Sequence, residues 1–145
     1  MSTTRPSHLD LSEETIVADS PIDIAEAFVA HWNANRVEEA LAMLSEDVLY
    51  DNVPYPDIHG RDAVRKFHVD FGMGTTFRAD WKIVNICAAG NVVLNERVDD
   101  FHHSSGAVIS LPVMGTLTVD DGKITIWRDY FDAAAMERQL AELEP

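Results

Sequence analysis

The sequence predicts an α+β fold, with a curved, mostly antiparallel sheet packed against helices around a conical pocket. Three observations predict it. Helical periodicity is confined to the first half of the chain and its last residues. Four long strand candidates stand between these parts, one after another. Short turns separate them, which makes a meander that helices can cover on one face.

The first helix starts at Ser20-Pro21, a hydroxyl cap followed by a proline whose missing N–H costs nothing there. Its apolar stripe is Ile22, Ala25, Val29 and Trp32. Asn35 with Glu38 reads as a second capping signal, before a short helix marked by Val37, Ala40, Leu41 and Leu44. Residues 46–53, EDVLYDNV, read as a first strand that Pro54 and Pro56 end. Residues 61–71 read as a third helix with Val64, Phe67 and Phe71 on one side. FGMGT, residues 71–75, reads as a plain loop in preference to a lid. The strand candidates cover roughly 76–89, 91–102, 106–119 and 122–131. Gly90-Asn91, Ser104-Ser105-Gly106 and Asp121-Gly122 turn the chain between them. Asp132 caps a last helix with Met136 and Leu140 inward.

Residues 1–20 read as a polar tail and 21–145 as one domain, a length that suits a single core. Net charge is 11 − 25 = −14, which speaks against nucleic acid and anionic membrane surfaces, because both need a basic patch. No run approaches the ~20 apolar residues of a membrane span, and the N-terminus lacks the apolar stretch of a signal peptide. The single cysteine, Cys87, excludes an internal disulfide and fits a reducing, cytoplasmic compartment. Its apolar strand makes it a buried, inert thiol. His102 and His103 are adjacent on a strand and face opposite ways, so they make no metal site. His59 and His68 show no ligand spacing.

The polar residues that raise a functional question lie on strands. Arg97 and Asp99 point the same way, roughly 7 Å apart. Both faces of their strand mix apolar and charged residues, so the pair is either an ion pair on a wet face or part of an internal site. Asp129 sits between Trp127 and Phe131 on its own face, and a buried carboxylate needs a partner. Arg97, with five donors, can hold Asp99 and Asp129 together if their strands share a cavity. Tyr50 and Asn52 also share one face, and a phenol beside an amide can orient one water. Taken singly, Tyr50 reads as a half-buried strand tyrosine and Asn52 as a turn former before Pro54.

The motifs YDNVP (50–54), ERVDDF (96–101) and WRDYFD (127–132) resemble, in order and spacing, those of the limonene-1,2-epoxide hydrolases. The similarity runs from about residue 21 to the C-terminus. It implies the cone-shaped fold shared with ketosteroid isomerase and nuclear transport factor 2, and a homodimer. It also implies a catalytic set of Tyr50, Asn52, Arg97, Asp99 and Asp129. Asp129 is then the general base toward a water held by Tyr50 and Asn52. Asp99 is the acid toward the epoxide oxygen, and Arg97 fixes both carboxylates. The implied reaction opens a small apolar epoxide to a vicinal diol in one step, with no covalent intermediate, no metal and no cofactor. By parity and by the resemblance, Phe101, Leu111, Val113, Phe131 and Met136 are candidate substrate-binding walls, with Trp32 as a further candidate. Rivals on the same fold are an epoxide-opening cyclase, a polyketide cyclase, a ketosteroid-isomerase-like enzyme and a non-catalytic small-ligand-binding module. The pairing of two acids with a water cradle favours hydrolysis over an isomerase, which needs one base.

Overall fold

The computed structural model describes residues 19–143, so most of the expected polar tail lies outside the described residues. Helix α1 (Pro21–Asn33) begins as its sequence demands. Ser20 Oγ accepts from the Asp23 N–H at 3.1 Å, and Asp23 Oδ2 accepts from the Ser20 N–H at 3.3 Å, a reciprocal capping box. The helix buries Ile24, Ala25, Phe28, Val29 and Trp32. Its inner face is thus centred on Ile24 and Phe28, with the expected Ile22 at the margin. Asn33 pins the helix to the sheet: its amide donates to the Trp81 carbonyl and accepts from the Trp81 N–H, both at 2.8 Å.

Helix α2 (Val37–Ala42) is shorter than its apolar pattern suggests. Asn35 does not cap it, because its backbone takes φ 61°, a left-handed position that reverses the chain. Leu44, expected on this helix, opens strand β1 (Leu44–Asn52) and is fully buried there. A two-residue strand β2 (Ile58–His59), absent from the sequence reading, pairs back on β1. Helix α3 (Arg61–Phe71) holds the expected bounds. The loop after it is a hydrogen-bonded turn, with the Met73 and Phe77 N–H groups closing onto His68 and Gly72 carbonyls at 2.9 Å.

Strands β3 (Phe77–Ala89), β4 (Val92–His103), β5 (Val108–Asp120) and β6 (Lys123–Tyr130) form the expected antiparallel meander, and helix α4 (Ala133–Ala141) follows, capped by Asp132. The six strands run in the order β2-β1-β6-β5-β4-β3. β1 joins β6 in parallel, so the first long strand lies beside the last. α1 and α3 pack over the concave face, and the core between them holds Phe28, Trp32, Leu41, Val64 and Trp127. Burying an aromatic or branched side chain there contributes about 1.5–3 kcal/mol.

Cys87 departs from its expected burial. It is exposed, because β3 is the edge strand and Cys87 pairs with Leu94 on the outer face. Among the described residues, no helix is long and apolar enough to cross a membrane.

Candidate active site

The odd-numbered side of β4 faces inward, which decides the question that periodicity left open. Arg97 and Asp99 are each 4% exposed and Asp129 is 6% exposed. Arg97 Nε and Nη2 donate to the two Asp99 oxygens, each at 2.9 Å, a side-on fork of the kind guanidinium geometry favours. Arg97 Nη2 also lies 3.1 Å from Asp129 Oδ2. Arg97 Nη1 donates to Asn95 Oδ1 at 2.7 Å. The guanidinium is therefore held by three side chains and stands 5.6 Å from the Trp81 ring centre. Trp127 Nε1 donates to Asp129 Oδ2 at 3.0 Å. The other Asp129 oxygen is buried and has no hydrogen-bond partner among the described residues.

A glycine makes this bridge possible. β5 separates β4 from β6, and Gly115 pairs with Asn95 on one side and Asp129 on the other. A Cβ on Gly115 would collide with Asp129 Oδ1 and lie 2.8 Å from Arg97 Nη1. The ion pair crosses the intervening strand through the space that Gly115 leaves open. A glycine inside an otherwise continuous strand was the available signal, and the sequence reading did not use it.

Backbone register brings in the remaining polar pair. Tyr50 lies opposite Trp127 and Asn52 opposite Asp129 along the parallel β1–β6 seam. The Tyr50 ring stacks on Trp127 with centroids 4.1 Å apart. Burial, reinforced by the Asp129 charge, holds the Tyr50 phenol above its ordinary pKa, although the Asn52 side chain within hydrogen-bonding reach opposes this. Tyr50 is therefore a neutral hydroxyl.

The charges do not balance: one guanidinium faces two carboxylates. Burial raises the Asp99 pKa; Arg97 opposes the shift and the Asp129 charge adds to it. Asp99 therefore holds a proton to higher pH than an ordinary aspartate, and each of its oxygens has a second lone-pair position beyond the one Arg97 uses. Burial also works against the Arg97 cation, but Asp129 and Asp99 outweigh it and hold its pKa above the ordinary value.

Asp99 and Asp129 edge a cavity of about 310 Å³, while Arg97 is not part of its lining. Phe101, Leu111, Val113, Phe131 and Met136 all line it, as do Tyr50, Asn52, Asp99 and Asp129. Trp32 does not. It lies one layer deeper, its ring 5.5 Å from Trp81 and 6.0 Å from Trp127, and those two rings shield it from the cavity. The sequence reading missed Trp81, Tyr55, His68 and Met73, which also line the cavity. Parity along one strand does not reveal them, because they come from β3, α3 and two loops. Outside the cavity, Asp80, Asp100 and His102 converge on the outer face. Lys82 Nζ already bonds both carboxylates, at 3.1 and 3.0 Å, so a cation of the chain's own occupies that cluster.

Comparisons with known proteins bear on the family and the fold. The sequence profile described as the limonene-1,2-epoxide hydrolase catalytic domain matches residues 19–142. The chain is 34% identical over 139 residues to the epoxide hydrolase EphG of Mycobacterium tuberculosis, covering 90% of this chain and 86% of that relative. The solved structure of a limonene-epoxide-hydrolase-like epoxide hydrolase from M. tuberculosis superimposes with a TM-score of 0.71 at 33% identity, over 84% of this chain and 90% of that one. A protein of ketosteroid-isomerase-like fold from Catenulispora acidiphila gives a TM-score of 0.70 at 19% identity, over 88% of this chain and 100% of that one, a likeness of fold alone. The chain belongs to the limonene-1,2-epoxide hydrolase family of epoxide hydrolases.

Proposed function

We propose that this protein adds water directly to a small, largely apolar epoxide and releases a vicinal diol. The observation that carries this reading is the buried Asp99–Arg97–Asp129 bridge, with Tyr50 and Asn52 registered beside Asp129. Tyr50 and Asn52 hold one water at the cavity edge. Asp129, ionised, takes a proton from that water as its oxygen attacks an epoxide carbon. The C–O bond of the ring breaks, and Asp99 gives its proton to the departing oxygen. The proton gained by Asp129 and the one lost by Asp99 cancel, so transfer through solvent restores the resting state. Each positioned proton transfer contributes roughly 10²–10⁴-fold.

Arg97 keeps the two carboxyl groups in one frame and allows a single proton to be shared unequally between them. The walls built by Phe101, Leu111, Val113, Phe131 and Met136 suit an apolar substrate body. We also propose a homodimer through the outer face of the sheet. Met114 and Tyr130 pair there across β5 and β6, and each is 50% exposed.

Incubation with limonene 1,2-oxide and cyclohexene oxide tests the reaction, with Asp129→Asn as control. Diol from the wild type, lost in the variant, is the expected result. A cyclic ether from a hydroxylated epoxide would instead indicate closure by a substrate hydroxyl. No turnover of any epoxide by a folded wild type would overturn the reading.

A further inference from the structure

His68 borders the cavity, yet the hydrolysis leaves it without a role. It sits on α3, 4% exposed, with its ring parallel to Trp127 (centroids 5.4 Å apart, planes 7° apart). Tyr50 stacks against it at 5.4 Å. These neighbours fix the ring plane. Nδ1 lies 2.9 Å from the Val64 carbonyl oxygen. A carbonyl can only accept, so Nδ1 carries the hydrogen. Burial pushes the His68 pKa down to about 4, so the ring is neutral near pH 7 and Nε2 holds a lone pair.

That lone pair meets no donor among the described residues. Packing seals Trp32 Nε1 and Trp81 Nε1, but Nε2 is not among the closed-off polar atoms. Phenylalanine could stack on Trp127 as well, but it would give up the Val64 contact and present no acceptor at the cavity wall. The tautomer, the fixed plane and the position on the cavity wall together describe a preset acceptor.

We propose that His68 Nε2 is a substrate-recognition atom that accepts a hydrogen bond from a hydroxyl or N–H group carried by the substrate away from its oxirane. The preferred substrate class is then an apolar epoxide with one such donor, in place of a plain hydrocarbon epoxide. The proposal rests on the epoxide reading above and narrows it.

The test compares limonene 1,2-oxide with a set of its isomers that each bear one hydroxyl at a different carbon outside the oxirane. The measured quantity is kcat/KM for the wild type, His68→Phe and His68→Gln. For at least one hydroxylated isomer, His68→Phe should lose about tenfold, the worth of one hydrogen bond, and His68→Gln should recover part of it. The quantity read is the ratio of the two losses: limonene 1,2-oxide, which has no such donor, should lose less than that isomer by about the same factor. A parallel loss across all substrates, or none on any, would overturn the proposal. Nitrogen NMR of the wild-type ring gives a readout independent of turnover and of variant folding. Menthol, and not p-menthane, should shift the Nε2 resonance; no shift with menthol counts against the proposal. A wild type that hydrolyses no epoxide but shows the menthol shift would sink the hydrolase reading and leave the recognition atom standing.

Discussion

Arg97 Nη2 meets Asp129 Oδ2 at 3.1 Å although their strands are not neighbours. The contact spans β5 at Gly115, where an added Cβ would run into Asp129 Oδ1 and crowd Arg97 Nη1. Gly115→Ala should therefore act on catalysis more than on folding. We expect kcat to drop by about 10² or more, since misplacement of about 1 Å can cost that much. Circular dichroism should remain close to the wild type. A Gly115→Ala enzyme with full activity would show that the bridge is not needed.

Replacing Arg97 by lysine keeps the charge and loses the fork. Lysine offers a point charge and cannot reproduce the two parallel bonds to Asp99 while reaching Asp129. Steady-state kinetics should show a fall of at least about 10² in kcat with a smaller change in KM. Equal loss in both would mean that Arg97 serves substrate binding.

Asp99 should titrate above an ordinary aspartate, because burial raises its pKa and the Asp129 charge adds to it. Removing that charge in Asp129→Asn should lower the Asp99 pKa. Carboxyl carbon NMR across pH would show the Asp99 midpoint moving toward acid in the variant. A midpoint that stays put would mean that the two carboxyl groups are not coupled.

His68 makes a separate, thermodynamic prediction. Its folded pKa of about 4 lies below its ordinary 6.5. Between those values the unfolded chain binds more protons, so stability falls as pH drops from 6.5 toward 4, by up to about 3 kcal/mol. Asp99 works in the opposite direction above its ordinary pKa, so the useful quantity is the difference from a His68→Phe variant. Urea unfolding at pH 7 and pH 4.5 should show a smaller acid loss for His68→Phe; identical slopes would contradict the assignment.

The proposed dimer is open to a direct measurement. Light scattering should give twice the 16.2 kDa chain mass, and Met114→Glu should halve it by placing a charge in the apolar outer face. An unchanged mass would move the interface elsewhere.

Local chemistry made the meander legible. Asp121-Gly122 takes φ 50° and 77°, as a tight hairpin demands, and α3 keeps the bounds its pattern predicts. Tertiary context decided the rest. Asn35 carries a capping residue type but is used for its left-handed backbone. Cys87 lies in an apolar stretch but on the uncovered side of an edge strand. Arg97 and Asp99 were visible as a pair, yet the face they occupy depended on what packs above the sheet. Trp32, expected at the cavity wall, falls short of it for the same reason. Helix periodicity placed Trp32 inward, but only the stacking of Trp81 and Trp127 determines that it stops short of the cavity.

The parallel β1–β6 seam sets when the centre can exist. Tyr50 and Asn52 are made early, and Trp127 and Asp129 near the end of synthesis, 77 residues later in each case by register. No local hairpin can bring them together, and such distant pairing is slow to form. A chain still missing β6 holds Tyr50, Asn52, Arg97 and Asp99, but it lacks Asp129 and the strand that brings Tyr50 and Asn52 into register beside it. Assembly of the centre is therefore a late event of folding. During refolding, catalytic competence should appear after the β3–β5 meander has formed, and it should report that the two ends of the sheet's sequence have met.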